Sequence, residues 1–118
     1  MHKPTIGLIE VTIPNGTALS EEVSLAGRTL VGIVMPAAWT AAAMTFLAGA
    51  VSGTVRKLVD KAGTELNLTV SVDTCIYLPA LDLAAVRYLQ VRSGTAAVPV
   101  NQGAARVIQL VCRRVAAD

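Results

Sequence analysis

The stretch TLVGIVMPAAWTAAAMTFLAGAVSGTV, residues 29–55, carries no charged side chain, and its reading decides between two architectures. It is long enough to cross a bilayer as a helix, and Gly49 and Gly53 stand at the spacing that lets two membrane helices approach closely. Other features oppose a helix. Pro36 interrupts the run, Gly32, Gly49 and Gly53 punctuate it, and Leu30, Val31, Ile33 and Val34 form a β-branched-rich half that ends near the proline. Those are strand and turn signals. No second span occurs elsewhere, and no Lys/Arg cluster flanks one end to orient a helix. The run predicts two buried strands joined by a loop around Trp39, with at most one short helical turn from the three alanines 41–43.

Outward from it, the same reading yields further strands. Residues 5–13 place Ile9, Val11 and Ile13 on one face, and Pro14-Asn15-Gly16 supplies a proline-initiated turn. Val23 and Leu25 alternate within a polar stretch, and Ala26-Gly27 leads into a strand over 28–35. Strands follow at 44–50 and 55–60. Lys61-Ala62-Gly63 makes a glycine-bearing connection to 65–72, where Leu66, Leu68, Val70 and Val72 alternate with polar residues in the cleanest period-two pattern of the chain. A short strand at 75–78 ends at Pro79, and Leu81-Asp82-Leu83-Ala84 reads as a loop or single helical turn. Residues 86–93 set Arg87, Leu89 and Val91 against Tyr88, Gln90 and Arg92. The last strand, 104–115, turns Ile108, Leu110 and Cys112 to one side. About eight strands with turn chemistry between them predict an all-β, antiparallel, jelly-roll-like β-sandwich. With no internal repeat or linker, residues 1–118 form one domain, with 1–4 and 116–118 as flexible ends.

A chain of 118 residues is long enough to bury about two-thirds of its unfolded surface without a disulfide or metal. Apolar residues make up 53% of it, yet aromatics only 3% and charged residues 15%, well below the quarter or so usual for soluble domains. That scarcity of charge predicts surface covered by partners. The net charge of +2 is spread along the chain, so no basic stripe for nucleic acid exists; Arg113-Arg114, near Arg106, is the densest basic spot. Met1-His2-Lys3-Pro4 opens no signal peptide, since Glu10 and the Pro14 turn follow.

Catalytic chemistry lacks its parts. His2 is the sole histidine, so neither a Ser-His-Asp nor a Cys-His arrangement has a base. Asp60 and Asp73 are loop carboxylates that nothing in the sequence brings together, and no glycine-rich phosphate cradle is present. Cys75 and Cys112 form no CxxC pair or zinc knuckle; a disulfide requires their strands to be neighbours. The expectation is a non-enzymatic protein without cofactor or metal. Trp39, in a loop between strands, either caps the core or contacts a partner or sugar. Tyr88, Arg92 and Asn101 are the candidates for a polar binding edge beside it.

The blocks VGIVMPAAWT (31–40), VRYLQVRSGT (86–95) and PVNQ (99–102) resemble a family of small tailed-bacteriophage virion proteins, over about residues 25–113. The acidic, aromatic hairpin common in that family is replaced here at residues 50–58. The resemblance implies a β-sandwich that coats or decorates a virion, as a capsid decoration, neck or fibre-associated subunit. It further implies homo-oligomers, localisation to the virion, and capsid, neck or fibre proteins as partners, with no direct contact to nucleic acid or membrane. Two other readings stand beside it: a carbohydrate-binding jelly roll of an adhesion apparatus, and a small holin-like membrane protein.

Overall fold

The computed structural model describes residues 6–78 and 86–114. The 81–84 turn and the two chain ends read as flexible lie outside these residues.

Alternating inward residues explain the core. Ile9, Val11 and Ile13 of β1 (Ile6–Ile13) point inward, as do Ile108, Leu110 and Cys112 of β8 (Arg106–Arg113). From β3 (Thr29–Val34) come Leu30 and Ile33, which are three residues apart. A β-bulge reconciles that spacing with a period of two, because Leu30 faces Cys112 and Gly32 faces Val111, leaving Val31 as the extra residue. Opposite them, β4 (Met44–Gly49) contributes Met44, Phe46 and Ala48, and β7 (Tyr88–Ser93) contributes Leu89 and Val91. Burying each large side chain fully stabilises the fold by about 1.5–3 kcal/mol. Short strands β2 (Val23–Ser24), β5 (Arg56–Lys57) and β6 (Cys75–Tyr77) complete the set of eight.

The strands form two four-stranded sheets, β1-β8-β3-β6 (sheet A) and β2-β7-β4-β5 (sheet B), with every pairing antiparallel. Strands 1 and 8, 2 and 7, 3 and 6, and 4 and 5 are neighbours. That is the order produced when one long hairpin is wrapped into two sheets, the jelly roll. The uncharged run 29–55 becomes β3, the Trp39 loop, β4 and the β4–β5 turn, with no helix in it. No helix among the described residues is long and apolar enough to cross a membrane.

Three expectations need correction. The alternating segment 65–72 is not a strand: it makes only isolated bridges, Glu65 to Val59 and Leu68 to Met44. Its alternation is real, since Leu66, Leu68 and Val70 pack on the core, but the segment leaves sheet B for sheet A. Asp73 donates its backbone N–H to Pro36 and Met35 donates to Thr74. A chain that changes sheets covers the core without building a ladder. Conversely, Val23–Ser24 is a strand, continued irregularly beside β7 because the Ser20 hydroxyl accepts the Val91 N–H at 2.9 Å in place of a backbone carbonyl. The segment read as a strand over 55–60 shrinks to Arg56–Lys57. Cys75 and Cys112 stay free; β3 lies between their strands, and Cys75 is exposed while Cys112 is buried.

Candidate functional site

Wrapping brings the β1–β2, β3–β4, β5–β6 and β7–β8 connections to one end, where they are tied together. Gly16 and Thr17 exchange backbone hydrogen bonds with Gln102, and Gly94 donates to Ala43. Gln102, 1% exposed, is the hub. Its Oε1 accepts from the Thr40 N–H at 2.7 Å and Arg106 Nε at 3.0 Å, while its Nε2 donates to the Thr40 carbonyl at 3.0 Å and Ser93 Oγ at 2.6 Å. A second cluster lies beside it. Arg92 donates to Glu65 at 2.7 Å and to Thr45 Oγ1 at 3.0 Å; Thr45 donates to the Gly94 carbonyl, and Glu65 also accepts the Ala96 N–H. Gly94 has φ +88°, and a Cβ there would sit 2.5 Å from the Val98 carbonyl oxygen, so the turn requires glycine.

Trp39, Arg92 and Asn101 fall at this end. Trp39 is half-buried against the core and donates its indole N–H to the Ala42 carbonyl at 3.1 Å. Arg92 is held inside the Glu65–Thr45 cluster, and Asn101 is exposed next to Gln102. Tyr88 stands apart: it pairs with Ser24 and Gly49 at the other end of β7, about 13 Å from Arg92 at strand rise. The four residues therefore make no single edge.

Titratable groups are equally dispersed. Asp60 caps its own turn, accepting from the Ala62 and Thr64 amides, and Asp73 lies in the connection that crosses to sheet A. His2 lies outside the described residues. Among those residues, no group of three or more His, Cys, Asp or Glu side chains is placed to hold a metal. Hydrogen bonds from Ser52 and the Gly53 amide hold the Glu22 carboxyl below its ordinary pKa, and burial pushes the Cys112 thiol up.

The outer faces of the two sheets differ. Sheet B turns out Tyr88, Gln90 and Arg92 on β7, Leu47 on β4 and Lys57 on β5, with Glu65 joined to Arg92. Sheet A turns out a row that runs Leu8, Val111, Gly32, Tyr77 across its four strands, and Val107 stands farther along β8, beyond the Glu10–Gln109 row. Leu8 is 59% exposed, Val107 45% and Tyr77 85%. Apolar residues on both faces of β1 and β8 were the only sequence signal for this row. Glu10 and Arg113 are the exposed charges among them.

Fold and surface together define an eight-stranded jelly-roll domain with one apolar row across the outer face of sheet A. The crystal structure of the SPBc2 prophage-derived protein YomS has a similar fold: TM-score 0.56, 11% sequence identity, with 95% of this chain and 97% of that chain covered. No protein-family model matches the chain, and no curated protein matches it in sequence.

Proposed function

We propose that this chain is a non-enzymatic structural subunit of a tailed-bacteriophage virion, a capsid decoration or head/neck-associated protein that binds its lattice in many copies. The observation that carries the reading is the match to a prophage-derived protein along nearly the whole of both chains. The apolar outer row of sheet A supports it, because exposed apolar patches commonly mark protein–protein contact sites. Jelly rolls serve as viral capsid and as lectin domains alike. The lectin alternative draws less support here, since the Trp39 indole N–H and the Arg92 guanidinium are committed to internal partners.

Mass spectrometry of purified virions from the strain that carries the gene tests the proposal. The expected result is this protein in near-integral ratio to the major capsid or neck protein. Absence from intact particles, with the protein present in the same lysate, overturns it.

A further inference from the structure

Strand β1 is an edge of sheet A, with β8 as its one neighbour among the described residues. The Thr12 amide donates away from β8, to Glu21 Oε1 at 3.4 Å. In an antiparallel strand this fixes the direction of the other amides: those of Leu8 and Glu10 also point away from β8, and those of Ile9 and Val11 point toward it. Glu21 thus guards the far half of the edge. Edges in natural sheets are blunted by charged side chains, Pro or bulges, and residues 6–10 contain no Pro and a single charge, Glu10.

We propose that a second copy of this chain adds to that edge, β1 against β1 about a two-fold axis at Leu8, giving one continuous eight-stranded sheet. Three registers bring three or more pairs of outward residues together, and side chains choose among them. Centring on Glu10 sets two like charges directly opposite each other, which destabilises a pair, and needs the Thr12 amide that Glu21 holds. Centring on Ile9 brings Ile6 against Thr12, whose amide Glu21 already holds. Centring on Leu8 needs only Ile6, Leu8 and Glu10, each pair exchanging two backbone hydrogen bonds. That register runs the apolar row unbroken from Tyr77 of one copy through both Leu8 side chains to Tyr77 of the other. It also places Arg113, the partner of Ile6 on β8, in the same row as Glu10 of the second copy. They are two strand spacings apart, about 9–10 Å, within the combined reach of the two side chains.

Sedimentation velocity on the full chain from about 1 to about 500 μM, a range that brackets weak to moderate affinities, is expected to show a reversible species of twice 12.2 kDa. Leu8→Pro removes an amide that the β8 ladder does not use, so the monomer keeps its melting profile while the dissociation constant rises at least about tenfold, the loss of one good contact. Glu10→Arg and Arg113→Glu each weaken the dimer and together restore it. A monomer at every concentration overturns the inference. So does a dimer indifferent to Leu8→Pro, or one abolished by Tyr77→Ser, which would place the contact on the sheet face. The inference rests on the β1 edge alone. A dimer that never enters virions leaves it standing and removes the proposed function.

Discussion

Replacing Gln102 by leucine removes every bond of the buried hub while keeping nearly the same volume. Four groups lose a partner: the Thr40 N–H, the Thr40 carbonyl, Arg106 Nε and Ser93 Oγ. Ser93 is fully buried, and the Thr40 N–H faces the same interior position, so these two are stranded at about 1–2 kcal/mol each. The half-exposed Arg106 and the Thr40 carbonyl find water and cost about 0.5 kcal/mol apiece; the leucine side chain returns about 1 kcal/mol of apolar burial. The expected net loss is about 2–4 kcal/mol, which for a chain of this length lowers Tm by about 8–20 °C. Urea titration measures it as a shift of midpoint at constant slope. Because Thr40 anchors the loop that carries the sole tryptophan, Trp39 emission should move to the red in the variant before global unfolding. A loss below about 0.5 kcal/mol would mean that water replaces the glutamine and would refute the hub.

Gly94→Ala forces a Cβ onto the Val98 carbonyl at a left-handed backbone position, so soluble yield and Tm should drop, with a stability loss of about 3 kcal/mol or more; an unchanged melt refutes it. Glu65→Ala leaves the Arg92 guanidinium, 12% exposed, without its ion partner, and double-mutant cycles with Arg92→Met should return a coupling of about 1–2 kcal/mol, discounted for partial exposure. With Cys75 exposed and Cys112 buried as a protonated thiol, a thiol reagent at neutral pH should titrate one cysteine in the native chain and two after unfolding; two native equivalents would contradict the packing of β8. Glu22 has its carboxyl pKa lowered in the folded state, so its contribution is present above the unfolded value and lost as pH falls through the folded one. The stability difference between the wild type and Glu22→Gln should therefore be flat at neutral pH and shrink on the acid side below about 4.5; a difference that grows there instead refutes the clamp on Ser52 and Gly53.

Long strands with regular alternation are legible in the sequence: β1, β7 and β8, of six to eight residues, show their core-facing residues, and the uncharged run resolves into β3 and β4. Segment 65–72 misled because alternation reports which side of a chain is buried and carries no information on whether a ladder partner exists. The short β2 escaped because Ser20 breaks the pattern by lending its hydroxyl to the ladder. Tyr88 and Arg92 looked like one edge because they share a strand face, but four residues along a strand span most of the sandwich. Gln102 and Glu65 were invisible for the opposite reason: a polar residue in a polar loop reads as solvated until the fold closes over it.

The scarcity of charge, which the composition left without a location, shows on both outer faces. Sheet B keeps Arg92, Lys57 and Glu65 on or beside its outer face and sheet A keeps Glu10 and Arg113, but between those two charges the row Leu8, Val111, Gly32 and Tyr77 crosses sheet A without a polar side chain other than the tyrosine hydroxyl. An ordinary antiparallel sandwich alternates apolar inward with polar outward on both sheets. Sheet A departs from that at β1 and β8, the strands whose pairing is longest, so the departure is not confined to a frayed edge. A free-standing monomer gains nothing from an exposed leucine and tyrosine in line with a partly unguarded strand edge. Pairing of two copies at Leu8 would cover the leucine and the strand edge, and would leave Tyr77, three strands away on β6, on the open face of the sheet.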